Sequence, residues 1–243
     1  MYALYIKEVR SFLNSLIGYI TIVIFLLAIG LFMWVFSGSE NVFEMRISTL
    51  NSLFFNAPLI FMFIIPAITM RSFAEEKRTG TIELLLTKPL TDTQIVLAKY
   101  LAGFSLIFIA LLPTWVYYVS IYLMGDPVGN IDNGGTLGGY IGLYLIGAVF
   151  VAIGTFCSAC TKNQVIAFLF ALVLSFLFYH GFEHLGSYSW WGTWDGAIQS
   201  IGIQQHFTAL QNGLLDTRDL SYFISLILIF LVITRLVLKS RKW

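Results

Sequence analysis

Charged side chains are scarce in this chain: Asp, Glu, Lys and Arg make up 11% of its 243 residues, while 58% are hydrophobic. Soluble domains carry about a quarter charged residues, so the composition excludes an ordinary soluble protein. A helix needs roughly 20 apolar residues to cross a bilayer and satisfies its backbone hydrogen bonds internally. The sequence therefore predicts an all-α integral membrane protein with six transmembrane helices. The uncharged runs cover residues 11–39, 47–70, 100–125, 133–161, 163–182 and 220–234, and the last extends to 238 if the Arg235 side chain reaches the interface.

Basic residues are few and unevenly distributed. Of the 14 Lys and Arg residues, all except Arg46 and Arg218 fall on the side of the N-terminus, and most of the 13 acidic residues fall on the other side. Cytoplasmic loops carry the excess of basic residues, so both termini are expected to be cytoplasmic. The formal net charge of +1 offers no basic footprint for a nucleic acid. The first run is about twice as long as the apolar part of a signal peptide and is expected to be retained.

The sequence also lacks the means to drive transport by itself. No G-x-x-x-x-G-K-[ST] occurs, so ATP cannot be bound in the P-loop manner. No span has Asp, Glu, Lys or Arg at its middle, the groups that proton-driven carriers use. Sodium coupling through backbone carbonyls stays open. The pattern favours a transporter whose energy comes from another protein.

Three sets of residues resemble catalytic or metal sites only weakly. "HGFEH", residues 180–184, matches the H-x-x-E-H pattern of zinc peptidases, but a structural pair at the outer end of a span is the favoured interpretation. "CSAC", residues 157–160, contains the only two cysteines, too few for a metal site of this spacing. His206 has no evident partner and is expected to be structural. The chain is therefore expected to hold no catalytic residue, metal or cofactor.

Outside the central spans, three segments have recognisable patterns. Residues 1–14 are amphipathic and predict an interfacial helix, with Glu8 among the residues facing water. Glycines four apart in residues 133–161 predict close helix packing, within one subunit in preference to a dimer face. The outer loop 183–219 is expected to form short interfacial helices. Its aromatic residues suit a membrane surface: Tyr188, Trp190, Trp191 and Trp194.

Residues 71–99 form the one sizeable cytoplasmic loop, and turn signals predict that it is ordered. Ser72 and Glu75 fit a capping box that would start a short helix. Gly80 would break that helix, and Thr81 would cap a second one, "TIELLL". Pro89 would end the second helix, because a residue before proline avoids the helical region. Thr91 and Gln94 fit a capping box for the helix that enters the third span.

Apolar and charged residues alternate within this loop in a way that predicts a docking ridge. The apolar residues would fill a groove of a partner: Ile82, Leu84, Leu85 and Leu86. The charged residues would fix the register of binding: Glu75, Glu76, Arg78 and Glu83. An amphipathic helix lying in the lipid interface is the alternative explanation of the same pattern.

The stretch "AEEKRTGTIELLLTKPLTDTQIVLAKYLAG", residues 74–103, resembles the loop between the second and third spans of ABC-2 type transporter permeases. The matching positions are Glu75, Glu76, Arg78, Gly80, Thr81, Glu83, Leu84, Leu85, Pro89 and Lys99. The final outer loop, last span and basic tail are similar to the same family. "YALYIKEVRSFLNSLIGY", "PAITMRSFAEEKRTGTIELL" and "DPVGNID" resemble its gliding-motility-associated members.

This resemblance implies a bacterial inner-membrane permease subunit that works with a cytoplasmic ABC ATPase dimer and exports an unspecified substrate. It also implies a second permease subunit, or an accessory membrane subunit with a periplasmic domain. The rival hypotheses are an intramembrane zinc enzyme and a membrane scaffold without net transport. A single domain is expected over residues 1–243: an interfacial helix (1–14), spans 1–2 (15–70), a coupling loop (71–99), spans 3–5 (100–182), an external loop (183–219) and span 6 (220–238).

Overall fold

The computed structural model describes residues 1–38, 40–87, 89–188 and 192–240, apart from the side chains of Ile17, Leu84 and Leu86. These residues form helices and turns and contain no strand. Within the described ranges, five helical stretches are long and apolar enough to cross a membrane, or six if the bent pair Tyr2–Leu13 and Gly18–Trp34 is one span. The predicted all-α membrane fold is confirmed. Five residues used above for sidedness or as interface aromatics lie outside the described part: Lys88, Trp190, Trp191, Arg241 and Lys242.

The N-terminal segment consists of two helices that meet at a sharp corner. α1 (Tyr2–Leu13) and α2 (Leu16–Trp34) are bent by 64° relative to each other. Ser15 caps α2, since its hydroxyl accepts a hydrogen bond from the Gly18 backbone N–H at 3.1 Å. The helix predicted over residues 1–14 is therefore present, and it ends before the first span begins.

The middle of the chain runs from the second span to the third through a chain of helices. Their order is α3 (Val42–Met45), α4 (Asn51–Thr69), α5 (Arg71–Thr79), α6 (Thr81–Leu86), α7 (Asp92–Leu111) and α8 (Trp115–Met124). A 3-10 turn with Pro113 in it separates α7 from α8, because proline cannot continue the α-helical hydrogen bonding. α4 and α5 nearly form one rod, and α6 turns away from it.

α9 (Asn133–Cys160) is the central helix of the bundle and packs against α4, α7, α10, α13 and α14. A Cβ atom at Gly139 would overlap the ring of Phe54, and one at Gly142 would overlap the ring of Phe207. The absence of side chains at these glycines therefore lets α4 and α13 approach the α9 backbone closely. The packing of these glycines is within the chain, as expected.

The last part of the chain contains two further spans with short helices between them. Their order is α10 (Gln164–Phe176), α11 (Phe182–Ser187), α12 (Asp195–Gln199), α13 (Ile203–Gln211) and α14 (Thr217–Lys239). A π-helical turn at Leu177–Gly181 joins α10 to α11. α13 buries Ile203, Phe207 and Leu210, and it packs against α9. The short helices predicted for the outer loop are present in its described residues.

Candidate coupling site

Ser158 of α9 contacts the backbone at the point where α4 meets α5. The Ser158 hydroxyl accepts hydrogen bonds from the backbone N–H groups of Phe73 (2.9 Å) and Ala74 (3.0 Å). It donates to the carbonyl of Met70 at 2.9 Å. These hydrogen bonds fix the start of α5 to α9.

Ser72 does not cap α5, so the predicted capping box with Glu75 is wrong. α5 begins without a side-chain cap, and Met70 before it has helical backbone angles. The backbone is already helical before Ser72, so Ser72 does not stand at the start of a helix. The N–H groups of Phe73 and Ala74 donate to the Ser158 hydroxyl instead. A second tie follows one turn later, where the Lys77 ammonium donates to the carbonyl of Ala159.

Lys99 at the start of α7 is the second anchor of α5. Its side chain is 1% exposed, and its Nζ lies 2.9 Å from Glu76 Oε1 of α5 and 3.1 Å from Glu8 Oε1 of α1. It also donates to the Ser72 carbonyl at 2.6 Å. The three N–H groups of the ammonium thus have three oxygen acceptors, which a buried charge requires. α1, α5 and α7 are joined at this one atom.

Two predicted contacts with water or a partner are corrected by this arrangement. Glu8, expected to face water, is turned inward because the buried Lys99 ammonium attracts its carboxylate. Glu76, expected to pair with a docking partner, is 15% exposed and pairs within the chain. Lys7 lies 3.9 Å from both carboxylates with a side chain that is 65% exposed, so it borders the cluster from outside.

Gly80 separates α5 from α6, as predicted. Gly80 has φ +74°, a conformation that a residue with a Cβ adopts only with strain. Thr81 does not cap α6: it is the first helical residue, and its hydroxyl lies 2.9 Å from the hydroxyl of Thr79. The capping box of Thr91 and Gln94 at the start of α7 is confirmed.

The apolar ridge expected on α6 is only partly exposed. Ile82 and Leu85 are 8% and 7% exposed and belong to the hydrophobic core. They stand three residues apart, on one face of the helix, and that face is turned toward the bundle. The expectation that they project toward a partner is wrong, because burying them removes apolar surface from water. The side chains of Leu84 and Leu86 lie outside the described part of the structure.

Among the described side chains of α5 and α6, the exposed ones are polar. Four of the predicted coupling residues and Pro89 after α6 are exposed: Arg78, Gly80, Thr81, Glu83 and Pro89. Glu75 is partly exposed. This surface belongs to a helix fixed to α9 through Ser158 and to α1 and α7 through Lys99. A displacement of this surface would therefore be transmitted to the membrane-crossing helices.

The residues that make these anchors were not predicted as site residues. Ser158 was noted only as part of "CSAC", where Cys157 is buried and Cys160 exposed, with both thiols free. Ser158 lies 85 residues from its partner Phe73, so no local pattern connects them. Lys99 was noted as a matching position without a role. The sequence contains one signal for it, because this lysine stands directly before the uncharged run 100–125.

The three histidines, His180, His184 and His206, lie at the opposite end of the bundle. The rings of His180 and His184 have centroids 5.9 Å apart. Among the described residues, no group of three or more His, Cys, Asp or Glu side chains is placed to hold a metal ion. His206 does have a partner, contrary to expectation, because Asp219 Oδ1 of α14 lies 2.6 Å from its Nδ1.

Comparison with known proteins agrees with the membrane fold. Residues 46–183 match the model of the family described as ABC-2 family transporter protein. No curated protein matches the chain. The matched region holds α4 to α10, including Ser158, Lys99 and the α5–α6 surface, and covers more than half of the sequence. The chain therefore belongs to the ABC-2 family of transporter proteins: it is a multi-pass membrane protein and a permease subunit of an ABC transporter.

Proposed function

We propose that this permease moves substrate across the bacterial inner membrane when a separate cytoplasmic ATPase dimer acts on the exposed face of α5 and α6. One observation carries the proposal: α5, which shares with α6 a surface whose described exposed side chains are polar, is fixed to the two membrane-crossing helices α9 and α7 at Ser158 and Lys99. Both termini would be cytoplasmic, since the basic residues concentrate at this end of the bundle.

Closure of the ATPase dimer would push on α5 and change the angle at its junction with α4. Ser158 joins α5 to α9, and Lys99 joins α5 to α7. The change would therefore reach these two spans together with α4. The nucleotide state and the substrate path are then linked by a coupling free energy. The buried Ile82 and Leu85 would hold α6 to the bundle, and the partner would meet Arg78 and Glu83.

Export is the proposed direction of transport, and gliding motility the proposed setting. Three stretches, at the N-terminus, around α5 and after α8, resemble the gliding-motility-associated permease subunit GldF. By the same resemblance, a second permease subunit or an accessory subunit with a periplasmic domain would complete the complex. The chain itself would carry out no covalent chemistry, since ATP hydrolysis belongs to the partner.

Charge reversal on the exposed face tests the coupling assignment. The tagged full-length chain is purified from native membranes, and vanadate-sensitive ATP hydrolysis in the eluate is measured. We expect Arg78→Glu and Glu83→Lys each to lower the activity per permease roughly tenfold or more, because like charges facing each other at an interface cost several kcal/mol.

The matched control is Arg218→Glu, a charge reversal at an exposed residue of the opposite end. It should leave the associated activity unchanged. Undiminished activity in both α5–α6 variants would contradict the proposal. Associated activity that responds to these variants while no candidate substrate is transported would favour the scaffold hypothesis instead.

A further inference from the structure

Two basic residues interrupt the lipid-facing side of α14. The exposed residues of this helix recur every three or four positions and so form one stripe: Ile224, Leu228, Val232, Arg235 and Lys239. The opposite side of α14 packs into the bundle, where the rings of Phe230 and Phe156 of α9 have centroids 5.8 Å apart. Arg235 and Lys239 therefore point away from the protein, on the same stripe as apolar side chains that lie in the membrane.

The position of Arg235 along α14 places it within the apolar layer. Arg218, which is charged and exposed, marks the opposite membrane surface. From Arg218 to Arg235 the helix rises by about 26 Å, whereas a hydrocarbon core is roughly 30 Å thick. The Cα–Cβ bonds of a helix point toward its N-terminus, which for α14 is toward the middle of the bilayer. A guanidinium in this position is unfavourable unless an anion accompanies it.

The described part of the chain does not supply that anion. Neither Arg235 nor Lys239 forms an ion pair with a carboxylate of a described residue. α14 contains no acidic residue after Asp219. The two basic side chains also stand one helical turn apart on one face, a spacing at which like charges repel each other. An anion beside both side chains would replace this repulsion with two attractive contacts.

The surroundings of the pair indicate that the anion belongs to a lipid. Val232 is 54% and Leu236 57% exposed, directly beside Arg235. The acyl chains of a phospholipid held by the two basic residues would lie along these apolar side chains. An acidic segment of a soluble protein could meet Lys239, but it would have to enter the apolar layer to meet Arg235. Only a molecule with both an anionic and an apolar part fits the whole surface.

We propose that Arg235 and Lys239 bind the phosphate of an anionic phospholipid of the phosphatidylglycerol class, in the leaflet at the Ser158 end of the bundle. The guanidinium of Arg235 donates two parallel hydrogen bonds to phosphate oxygens, and the Lys239 ammonium adds a second positive charge. The phosphate of phosphatidylethanolamine could accept from the same donors. Its ammonium, however, would lie near two cations and meet no carboxylate of α14. The net charge of the headgroup therefore decides which lipid is bound.

Native mass spectrometry of the full-length chain tests the proposal. The protein is released from bilayers that contain equal amounts of phosphatidylglycerol and phosphatidylethanolamine with identical acyl chains. A basic residue near an anionic lipid surface strengthens binding about fivefold, and the phosphate that both lipids share retains part of this effect. We therefore expect phosphatidylglycerol to be retained about tenfold over phosphatidylethanolamine. Equal retention of the two lipids would overturn the proposal.

Substitutions in α14 locate the preference. Arg235→Gln and Lys239→Gln should each lower it about threefold, and the double variant should abolish it. Arg235→Lys keeps the charge and should keep most of the preference. The matched control is Arg218→Gln, which removes an exposed basic residue from the other end of the same helix and should leave the preference unchanged. Full preference in the double variant, or an equal loss in Arg218→Gln, would contradict the proposal.

Two soluble competitors separate a membrane lipid from other anions. Glycerophosphoglycerol has the headgroup without the acyl chains, and a glutamate-rich peptide has the charge alone. Neither should displace bound phosphatidylglycerol at equal concentration, because neither can cover the apolar part of the stripe. Displacement by glycerophosphoglycerol would assign the pair to a soluble phosphate ester. Displacement by the peptide would assign it to an acidic partner protein, and either result would overturn the assignment to a lipid.

Discussion

Lys99 is the residue whose charge holds three helices together. Burying a lysine is unfavourable unless its ammonium is paired and hydrogen-bonded, and here two carboxylates and a carbonyl meet it. The ring of Phe73 lies 5.1 Å from the same nitrogen and contributes a cation–π contact. The cluster is thus an internal part of the fold, and removal of Lys99 alone would take the buried cation from two carboxylates.

Substitution of Lys99 alone should therefore lower the free energy of unfolding more than neutralisation of Lys99, Glu8 and Glu76 together. Lys99→Met leaves Glu8 and Glu76 facing each other without their buried cation, with only the exposed Lys7 ammonium 3.9 Å away, and we expect it to lower the free energy of unfolding by about 3–5 kcal/mol. The combination of Lys99→Met with Glu8→Gln and Glu76→Gln should recover most of this loss. Thermal unfolding in detergent measures both. Lys7→Met, at an exposed position of the same cluster, is the control and should change little.

His206 and Asp219 form the corresponding pair at the opposite end. The Nδ1 atom of His206 faces Asp219, and its Nε2 atom lies 2.9 Å from the Ser200 carbonyl. Each ring nitrogen of His206 thus faces an oxygen atom. The ring of Tyr222 stacks on the imidazole with centroids 4.0 Å apart. The pair fastens α13 to α14.

Asp219→Asn should weaken this fastening by about 1.5–3 kcal/mol, the usual contribution of a hydrogen bond to a charged group. A double-mutant cycle with His206→Gln isolates the interaction, because most of the loss should disappear once the histidine is absent. The free energy of unfolding of the four proteins is the measurement. Additive losses would show that the two side chains do not interact.

At the scale of elements, the sequence predicts helices better than the contacts between them. Long uncharged runs predict the spans, because a helix that crosses a bilayer must be apolar along its length. Gly80 and the capping box of Thr91 predict where α6 and α7 begin, because both depend on local backbone geometry. Ser72 and Thr81 have the same local signals and do not act as caps. At Ser72 a distant partner decides the outcome, because Ser158 accepts hydrogen bonds from the N–H groups of Phe73 and Ala74.

The sequence likewise predicts only part of the candidate site. The exposed residues Arg78 and Glu83 follow from a charged loop between spans. The burial of Ile82 and Leu85 depends on how α6 folds back, which the sequence of six residues cannot specify. Glu8 and Lys99 are 91 residues apart, so their pairing requires the tertiary fold.

Ser158 joins the backbone at the α4–α5 junction to α9, and its hydroxyl is the group to remove. Ser158→Ala would leave the Phe73 and Ala74 N–H groups without their acceptor, which should destabilise the protein by about 1–3 kcal/mol. The orientation of α5 should become variable. Double electron–electron resonance between spin labels at Arg78→Cys and Thr161→Cys, in a background in which Cys157 and Cys160 are replaced, should show a broader distance distribution.

Ser175→Ala is the matched control, because Ser175 is also buried but its hydroxyl has no partner in the described structure. It should leave the distance distribution unchanged. An equally narrow distribution in Ser158→Ala would mean that α5 is held by Lys99 and Lys77 without help from Ser158.

At the scale of the whole molecule, α9 is the framework to which both ends are attached. Of its most apolar segment 78% is buried, compared with 22% for the spans Gln164–Ser187 and Thr217–Lys239. Ser158 on α9 fixes the coupling surface at one end, and α13 packs on α9 at the other. A substitution on the buried face of α9 should therefore affect the whole bundle, whereas one on the exposed faces of α10 or α14 should not.

Gly154 tests this role, because a Cβ atom there would overlap the hydroxyl of Thr69 at the end of α4. Gly154→Ala should cost about 1–3 kcal/mol of unfolding free energy, as overfilling of a packed contact does. Since Thr69 precedes the α4–α5 junction directly, the variant should also lower the associated ATP hydrolysis. Gly134→Ala in the first turn of the same helix meets only Asp132 Oδ1 at 3.4 Å and should preserve both properties. Loss of stability with full ATP hydrolysis would show that the α4–α9 contact serves folding alone, and loss of both would place it in the path from α5 to the spans.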